Sequence, residues 1–312
     1  MKKYMVTGGC GFIGSTLVNN LLKDNNCSEI LVIDDLSAGF EKNIHKDTRI
    51  KLIKDKIQNL DAKKIDKQYD GIFHLAAQAS VFNSMTDFYS SSTNNLMSTL
   101  KVWEIAKEYR TPIVYASSSA IYGNLPIGDD VKDSFEILSP YAQDKLTMED
   151  YAHLCWNCFK IPSIGLRYFN VYGPKQDPSN PYSGVISIFI DRLLNQKDVI
   201  VNGGHQTRDF IYVDDTVKVM KQSLKFLNSN HDSFAFNVGT GVSTTIDNLL
   251  NMCIKIIGYN PSIINKPLCK EDPERSSGTF EKMQSLLELN LDEFILLENG
   301  LINTAKYFKN IL

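Results

Sequence analysis

The chain has 312 residues, with 33 basic and 36 acidic side chains and a formal net charge of −3. At roughly 100–200 residues per domain, this length predicts one large α/β domain or two unequal lobes. Hydrophobic residues make up 43% and charged residues 22%, a globular composition that excludes a wholly disordered chain. Because basic residues are not in excess, we do not expect a nucleic-acid partner.

The amino end and the cysteines predict a cytoplasmic protein without a membrane partner. Met-Lys-Lys-Tyr-Met-Val-Thr-Gly-Gly leaves no room for an apolar signal segment, and no apolar run reaches the roughly 18 residues of a membrane span. The six cysteines are scattered, as expected of reduced thiols. His153, Cys155 and Cys158 form a single C-x-x-C with one histidine, which is not a closed metal site, so no metal is expected.

In residues 1–172, short apolar runs alternate with longer helical patterns. The runs are continuous, which is typical of strands buried on both faces of a parallel sheet, and they cover 4–7, 30–33, 71–75, 113–116 and 164–168. Helices are predicted over 12–23, 88–109 and 142–158. This order predicts an α/β fold with a doubly wound parallel sheet, the Rossmann fold, over residues 1–172.

The pattern changes after Tyr172, where a proline-rich loop begins. Helical stretches follow at 185–194, 216–227 and 246–257, with short strands between them. We interpret residues 173–312 as a smaller C-terminal α/β lobe that binds substrate. Residues 210–213 and 236–238 are predicted strands that return to the main sheet, so that 210–238 rejoins the first domain.

A glycine-rich turn follows the first predicted strand. Gly8, Gly11 and Gly14 have the spacing G-x-x-G-x-x-G, and Phe12 and Ile13 begin the next helix. These glycines allow a tight turn, a close approach of backbone to a pyrophosphate, and close packing of helix on strand. The pyrophosphate would lie at the free N–H groups of the helix start.

An acidic residue stands at the distance that a dinucleotide site requires. Asp34 lies 20 residues after Gly14, at the end of the second predicted strand. Its carboxylate can accept both ribose hydroxyls and would repel a 2′-phosphate, which favours NAD over NADP.

Tyr141 and Lys145 are four residues apart after Pro140, so they share one face of a predicted helix. A nearby ammonium, together with the positive nicotinamide of NAD, is expected to lower the pKa of the phenol from its usual value near 10. Tyr141 would then act as a general base on a sugar hydroxyl. Upstream, the strand at 113–116 runs into three serines, 117–119, at the strand end where α/β sheets place ligands.

With these motifs the chain resembles the extended short-chain dehydrogenase/reductase family, specifically its NAD-dependent nucleotide-sugar epimerases and dehydratases. The resemblance is closest to UDP-glucose and UDP-N-acetylglucosamine 4-epimerases. It rests on ordered blocks that include TGGCGFIG at 7–14, HLAAQASV at 74–81, SSSAIYG at 117–123, RYFNVYGP at 167–174, QTRDFIYVDD at 206–215 and FNVGTG at 236–241.

The resemblance implies roles for individual residues. Ser118 matches the catalytic Ser/Thr that assists Tyr141, and Lys145 would also contact the nicotinamide ribose. The remaining matches are Ile57, Ala76 and Asn95 for NAD, and Asn170 and Arg208 for the sugar nucleotide and its diphosphate. The family also implies a UDP-sugar substrate and a homodimer.

The residues after Ser118 bear on the reaction. Dehydratases of the family carry Asp and Glu there, which act as acid and base in the loss of water. This chain has Ser119 and Ala120, which favours inversion at C4 through a transient 4-keto sugar. A dehydratase, a decarboxylase or a net 4-oxidase remains an alternative, as does a non-catalytic NAD-sensing protein.

One residue bears on the choice of substrate. Ser276 falls where related epimerases have a bulky tyrosine or a small residue, and a small residue leaves space for an N-acetyl group. The favoured pair is therefore UDP-GlcNAc/UDP-GalNAc, with UDP-Glc/UDP-Gal also open. Three departures leave room for an unusual substrate: Lys56 at the adenine position, Cys269 in place of an arginine, and Gly278-Thr279 in place of Ala-Asp.

Overall fold

The computed structural model describes residues 1–62, 65, 68–132, 134–179, 184–268 and 272–311. Of residue 311, only the backbone is described. The chain forms two compact units. The first contains residues 1–121, 137–167 and 217–236, and the second contains 122–136, 168–216 and 237–312. That 122–136 belongs to the second unit was not predicted from the sequence. Of the helices described, none combines the length and apolar character needed to cross a membrane.

In chain order, the helices and strands are β1 (Lys2–Thr7), α1 (Phe12–Leu21), β2 (Cys27–Ile33), β3 (Ile50–Ile53), β4 (Gly71–His74), α2 (Val81–Thr86), α3 (Phe88–Lys107), β5 (Ile113–Ser118), α4 (Pro140–Phe159), β6 (Ser163–Tyr168), β7 (Asn170–Tyr172), α5 (Val185–Leu194), β8 (Val199–Asn202), β9 (Thr207–Tyr212), α6 (Val213–Leu227), β10 (Ser233–Val238), β11 (Ser243–Thr245), α7 (Ile246–Ile257), β12 (Ile263–Lys266), β13 (Arg275–Ser276), α8 (Glu281–Leu287) and α9 (Leu297–Ile311).

Across the described residues, seven strands form the main sheet in the order β10-β6-β5-β4-β1-β2-β3. β1 pairs in parallel with both β2 and β4, and the predicted doubly wound fold is confirmed. The chain moves outward from β1 in one direction through β2 and β3, and then in the other through β4, β5 and β6. Ligands bind in α/β sheets at such a reversal, beyond the carboxyl ends of the strands.

The strands of the first unit are buried because helices cover the sheet. One core cluster joins Met5 and Ile72 of β1 and β4 to Val102 and Trp103 of α3 and Ala152 of α4. α4 begins at Pro140, two residues earlier than predicted. Its N-cap Ser139 accepts a hydrogen bond from the backbone N–H of Ala142, which satisfies one free donor of the first turn.

The expectation that residues 210–213 join the main sheet is wrong. Residues 210–212 end β9, and Val213 begins α6. β9 belongs to a smaller sheet of β11, β9 and β13, with β7 also paired to β9. Phe210 and Tyr212 pack in a second core cluster with side chains of α5, α7 and α9, so their apolar surface is buried without the main sheet. The expectation for 236–238 is confirmed, because these residues end β10.

Candidate active site

The loop from Gly8 to Gly14 has the geometry of a phosphate-binding turn. Gly8 has φ +69°, and a Cβ on Gly14 would lie 2.1 Å from the carbonyl oxygen of Gly8. Gly11 caps α1 without a side-chain hydrogen bond, and the first turn contains no acidic residue. Free backbone N–H groups at the positive end of a helix bind phosphate. This loop therefore fits the pyrophosphate of a dinucleotide, and Phe12 and Ile13 form the turn that would face it.

Asp34 is the first residue after β2 and is held beside this loop. Its carboxylate accepts hydrogen bonds from the backbone N–H of Cys10, at 2.8 Å, and of Leu36, at 2.9 Å. These two donors fix the side chain next to the glycine turn. A carboxylate offers about four acceptor positions, so two ribose hydroxyls can also be accommodated. The residues present thus fit NAD, although the contact between Asp34 and the ribose stays a prediction.

His74, the first residue of the block 74–81 on which the resemblance rests, is buried and links the ends of β1 and β4. The Thr99 hydroxyl donates to the carbonyl oxygen of Asn95, so it accepts from Nε2 of His74 at 3.2 Å. Nδ1 of His74 then accepts from the Thr7 hydroxyl at 2.8 Å. Burial, together with the charge of Lys145, lowers the pKa of His74 to about 3. The two side chains meet because Thr7 and His74 end neighbouring strands and pair in register.

Two of the residues expected near NAD are held by this network. The Thr7 hydroxyl oxygen accepts the backbone N–H of Ala76 at 3.2 Å. Asn95 donates from Nδ2 to Asp144 at 2.9 Å, and its Oδ1 accepts the N–H of Gln78 at 2.8 Å. Both residues are thus fixed within the first unit by partners of the protein itself.

The adenine position of the family pattern lies in the turn after β3. Ile57 is buried in the core of the first unit, whereas the side chain of Lys56 is exposed and donates to Oδ1 of Asn94 at 3.1 Å. Lys56 therefore has a protein partner on α3. The expected contact of Ile57 with NAD stays a prediction.

Ser118, Tyr141 and Lys145 come together where β5 meets α4. The Ser118 side chain hydrogen-bonds the Tyr141 hydroxyl. Nζ of Lys145 donates to the carbonyl oxygen of Ala116 at 2.7 Å and lies 5.6 Å from the centre of the Tyr141 ring. All three side chains belong to the first unit. This arrangement can hold and move a proton at the Tyr141 hydroxyl.

The expected lowering of the Tyr141 pKa includes the charge of the nicotinamide and stays a prediction, because the protein groups alone raise this pKa. Burial raises the pKa of Tyr141, because a desolvated phenolate is costly, and the charge of Asp144 raises it further; the Ser118 hydrogen bond lowers it but does not prevail. Burial also lowers the pKa of Lys145 to about 8, against the opposing charges of Asp144 and Glu149. Lys145 therefore still carries its proton in most molecules at pH 7.

The second unit contains a cavity of about 510 Å³ that Asn170 and Arg208 line. Arg208 is paired with Asp272 and donates to the carbonyl oxygen of Thr207 at 2.7 Å. Asn170 donates from Nδ2 to the carbonyl oxygen of Asp209 at 3.1 Å. The guanidinium is thus oriented by protein groups and suits an anionic ligand.

Four polar residues of this cavity were missed in the sequence: Asn202, Gln206, Lys266 and Asp272. Lys266 ends β12, and its register partner is Asn202 of β8, which also lines the cavity. The pairing of two short strands gives no recognisable motif. Ser276 lies opposite Arg208 in the register of β13 and β9. Cys269 and residues 180–183 of the proline-rich loop lie outside the described residues.

The Gly278-Thr279 departure has a packing explanation. A Cβ on Gly278 would lie 2.6 Å from Cζ of Phe169 and 3.0 Å from Nδ2 of Asn237. That nitrogen of Asn237 donates to the carbonyl oxygens of Gly128 and Thr279. A larger residue at 278 would displace the Phe169 ring or the Asn237 amide, so glycine suits the packing of the second unit.

Comparison with known proteins places this geometry in a family. A model of the NAD dependent epimerase/dehydratase family matches residues 4–239. The chain is 36% identical over 270 residues to a putative UDP-glucose 4-epimerase of Methanocaldococcus jannaschii, and the match covers 84% of this chain and 85% of that protein.

Two solved structures are similar over almost the whole chain. One is a UDP-N-acetylglucosamine 4-epimerase from Methanobrevibacter ruminantium M1 in complex with UDP-N-acetylmuramic acid, with a TM-score of 0.91 and 31% identity over 100% of this chain and 99% of that one. The other is a UDP-glucuronic acid 4-epimerase from Bacillus cereus in complex with UDP-glucuronic acid and NAD, with a TM-score of 0.91 and 30% identity over 99% and 100%. With its glycine turn and oriented acid, the chain belongs to the NAD-dependent epimerase/dehydratase family and uses NAD as its cofactor.

Proposed function

We propose that the protein is an epimerase that inverts C4 of a UDP-hexose through a transient 4-keto sugar. The observation that carries the proposal is the grouping of Ser118, Tyr141 and Lys145. Tyr141 is hydrogen-bonded to Ser118, and Nζ of Lys145 lies 5.6 Å from the centre of the Tyr141 ring. NAD, when bound, supplies reversible hydride transfer. Tyr141 takes the proton of the 4-hydroxyl and later returns it, and the Ser118 hydrogen bond stabilises the phenolate.

Lys145 provides a positive charge beside Tyr141. Because burial alone raises the pKa of Tyr141, the tyrosine needs a nearby cation to become a base near neutral pH. With its pKa lowered to about 8, Lys145 keeps its charge at pH 7. Its bond to Ala116 holds that charge in place.

Inversion is favoured over elimination by the residues that follow Ser118. Ser119 and Ala120 begin a short 3-10 turn after β5, and neither can donate or accept a proton as a carboxylate does. A 4,6-dehydratase needs an acid and a base in addition to Tyr141. Dehydratase, decarboxylase and net 4-oxidase activities are the alternative to inversion.

The substrate would bind through the cavity of the second unit. Arg208 and Lys266 are cations that suit a diphosphate, and Asn170 suits a sugar or nucleotide hydroxyl. The proteins in the two similar structures are named as 4-epimerases of different UDP-sugars. This supports a UDP-sugar as the substrate class. The small side chain of Ser276, beside Arg208 in register, favours the N-acetylated pair UDP-GlcNAc/UDP-GalNAc over UDP-Glc/UDP-Gal.

The test is a substrate screen on the purified protein. After denaturation, the released cofactor should be NAD. By NMR, UDP-GlcNAc should be converted to UDP-GalNAc and the reverse, and faster than UDP-Glc is converted to UDP-Gal. A 4-keto-6-deoxy sugar, a pentose with CO₂, or net formation of NADH would establish the alternative instead. No turnover of any UDP-sugar would refute the assignment.

A cytoplasmic homodimer is part of the same proposal. The family resemblance implies the homodimer, and the scattered cysteines favour a reducing compartment. Light scattering after gel filtration should give twice the mass of one chain, and a monomer mass at micromolar concentration would contradict the dimer.

A further inference from the structure

Three residues of α4 contact three consecutive residues of β5. Tyr141, Lys145 and Glu149 are spaced by four, which places them on one face of the helix. Tyr141 bonds Ser118, and Lys145 donates to the carbonyl oxygen of Ala116. Glu149 accepts a hydrogen bond from the hydroxyl of Ser117, the residue between those two partners. Only the first two contacts are used in the proposed reaction.

Glu149 is also clamped to the next strand of the sheet. Arg167 of β6 donates from Nε to Oε1 at 3.0 Å and from its terminal nitrogen to Oε2 at 2.7 Å. The side chain of Glu149 is 8% exposed and that of Arg167 is 4% exposed. A two-point bond between planar groups fixes orientation as well as distance. Glu149 thereby joins α4 to both β5 and β6.

These contacts constrain rotation of the helix about its axis. Turning α4 would carry Lys145 off the carbonyl oxygen of Ala116 and Tyr141 off Ser118, and it would have to break the buried bonds of Glu149 first. We propose that Glu149, held by Arg167 and Ser117, is a positioning residue that sets the rotation of α4 and so keeps Tyr141 and Lys145 in their catalytic places. The role assigned to Tyr141 rests on the proposed function.

A charge effect accompanies the geometry. Burial lowers the pKa of Lys145, and the negative charges of Asp144 and Glu149 oppose that effect. The other titratable groups that face Lys145 are His74 of β4, which burial and the lysine charge keep neutral, and the Tyr141 phenol. Removal of the Glu149 charge therefore lowers the pKa of Lys145 further.

The pair is a poor device for stability alone. Replacement of a buried ion pair by apolar residues of similar volume is often neutral or stabilising, because both charges had to leave water. Loss of only one partner leaves an unpaired buried charge and is costly. The decisive variant thus removes both charges at once.

The test is the double variant Glu149→Met with Arg167→Met, assayed for NAD content, kcat, KM and the pH profile of kcat. We expect a folded protein with bound NAD, an unchanged KM and a kcat at least tenfold lower. The alkaline limb should move little, because both charges of the pair are removed together. Arg167→Lys, which keeps the charge but loses the planar fork, should give an intermediate kcat. A kcat equal to that of the parent would overturn the proposal.

Two further variants test positioning without replacing the buried ion pair, and crystal structures test it without a substrate. Ser117→Ala removes one bond of Glu149 and should lower kcat severalfold, whereas Gln143→Ala, exposed on the same helix, should not. A crystal structure of Ser117→Ala or of the double variant should show Lys145 beyond hydrogen-bond distance of Ala116. An unchanged 2.7 Å bond in both structures refutes positioning, even if no UDP-sugar is a substrate of the parent.

Discussion

At the scale of single residues, the hydroxyl of Tyr141 is the group on which the proposed chemistry depends. Tyr141→Phe removes one oxygen from a buried side chain and leaves the ring in place. We expect turnover to fall by at least 10²–10⁴-fold, the range that a general base contributes, with NAD content unchanged. An NMR turnover assay and quantification of released NAD measure both effects. Tyr151→Phe, on the same helix, is the matched control and should retain activity.

The buried histidine predicts an acid sensitivity of stability. The pKa of His74 is about 3 in the folded protein against an ordinary 6.5. Above pH 6.5 its contribution to stability is complete. As the pH falls from 6.5 towards 3, only the unfolded chain takes up the proton, so the free energy of unfolding decreases by an amount of order 5 kcal/mol.

Denaturant unfolding between pH 7 and 4 measures this effect. His74→Asn should have a shallower loss of stability with falling pH than the parent, whatever its stability at pH 7. His153→Gln, an exposed histidine on α4, should keep the parent slope. Equal slopes in the parent and His74→Asn would contradict the burial of a neutral imidazole.

Residue types and spacing predicted which candidate catalytic residues would come together, but not their electrostatics. The four-residue interval of Tyr141 and Lys145 is local, and helical geometry brings them together. The pKa of Tyr141 depends on how completely the fold excludes water, which is not encoded in any short segment. The link between Thr7 and His74 likewise requires the pairing of two strands 67 residues apart.

At the scale of elements, the junction of β1 and α1 depends on close backbone contact. A Cβ on Gly14 would lie 2.1 Å from the carbonyl oxygen of Gly8, whereas one on Gly11 would lie at 3.3 Å. Gly14→Ala must therefore displace the turn, and we expect NAD content to fall at least tenfold and the melting temperature to drop. Gly11→Ala should cause a smaller loss. Equal NAD content in Gly14→Ala and the parent would exclude a tight fit at this turn.

Most elements in the first unit were predicted, because buried parallel strands and long helices have distinct patterns. The short elements β3 and α2 were not predicted. β9 was assigned to the wrong sheet for a physical reason. A short apolar strand is buried equally well in either sheet, and its partners β7, β11 and β13 have three, three and two residues. Such short strands carry little pattern, so their pairing follows from the packing of α5, α7 and α9.

At the scale of the whole molecule, the cofactor turn and the Arg208 cavity lie in different units. Binding at the two can therefore be perturbed separately. Arg208→Ala removes a charged donor and should weaken UDP binding by about 10- to 100-fold, as expected for loss of 1.5–3 kcal/mol, with NAD content unchanged. Isothermal titration with UDP measures it.

Arg192→Lys is the control for this experiment. Arg192 lies on α5 of the same unit and is not among the residues that line the cavity. It should bind UDP as the parent does. Parallel loss of NAD and UDP binding in Arg208→Ala would show that the variant disturbs the fold rather than one site.

The place of β10 at the edge of the main sheet has a consequence for synthesis on the ribosome. β6 is complete at residue 168, but its outer neighbour is encoded at 233–238. At roughly 5–20 residues per second, residues 169–232 take on the order of 3 to 13 s to be made. During that interval the nascent chain presents the open hydrogen-bonding edge of β6, which other chains can pair with. Translation speed across this stretch, and chaperones that cover such an edge, should therefore govern the yield of folded protein.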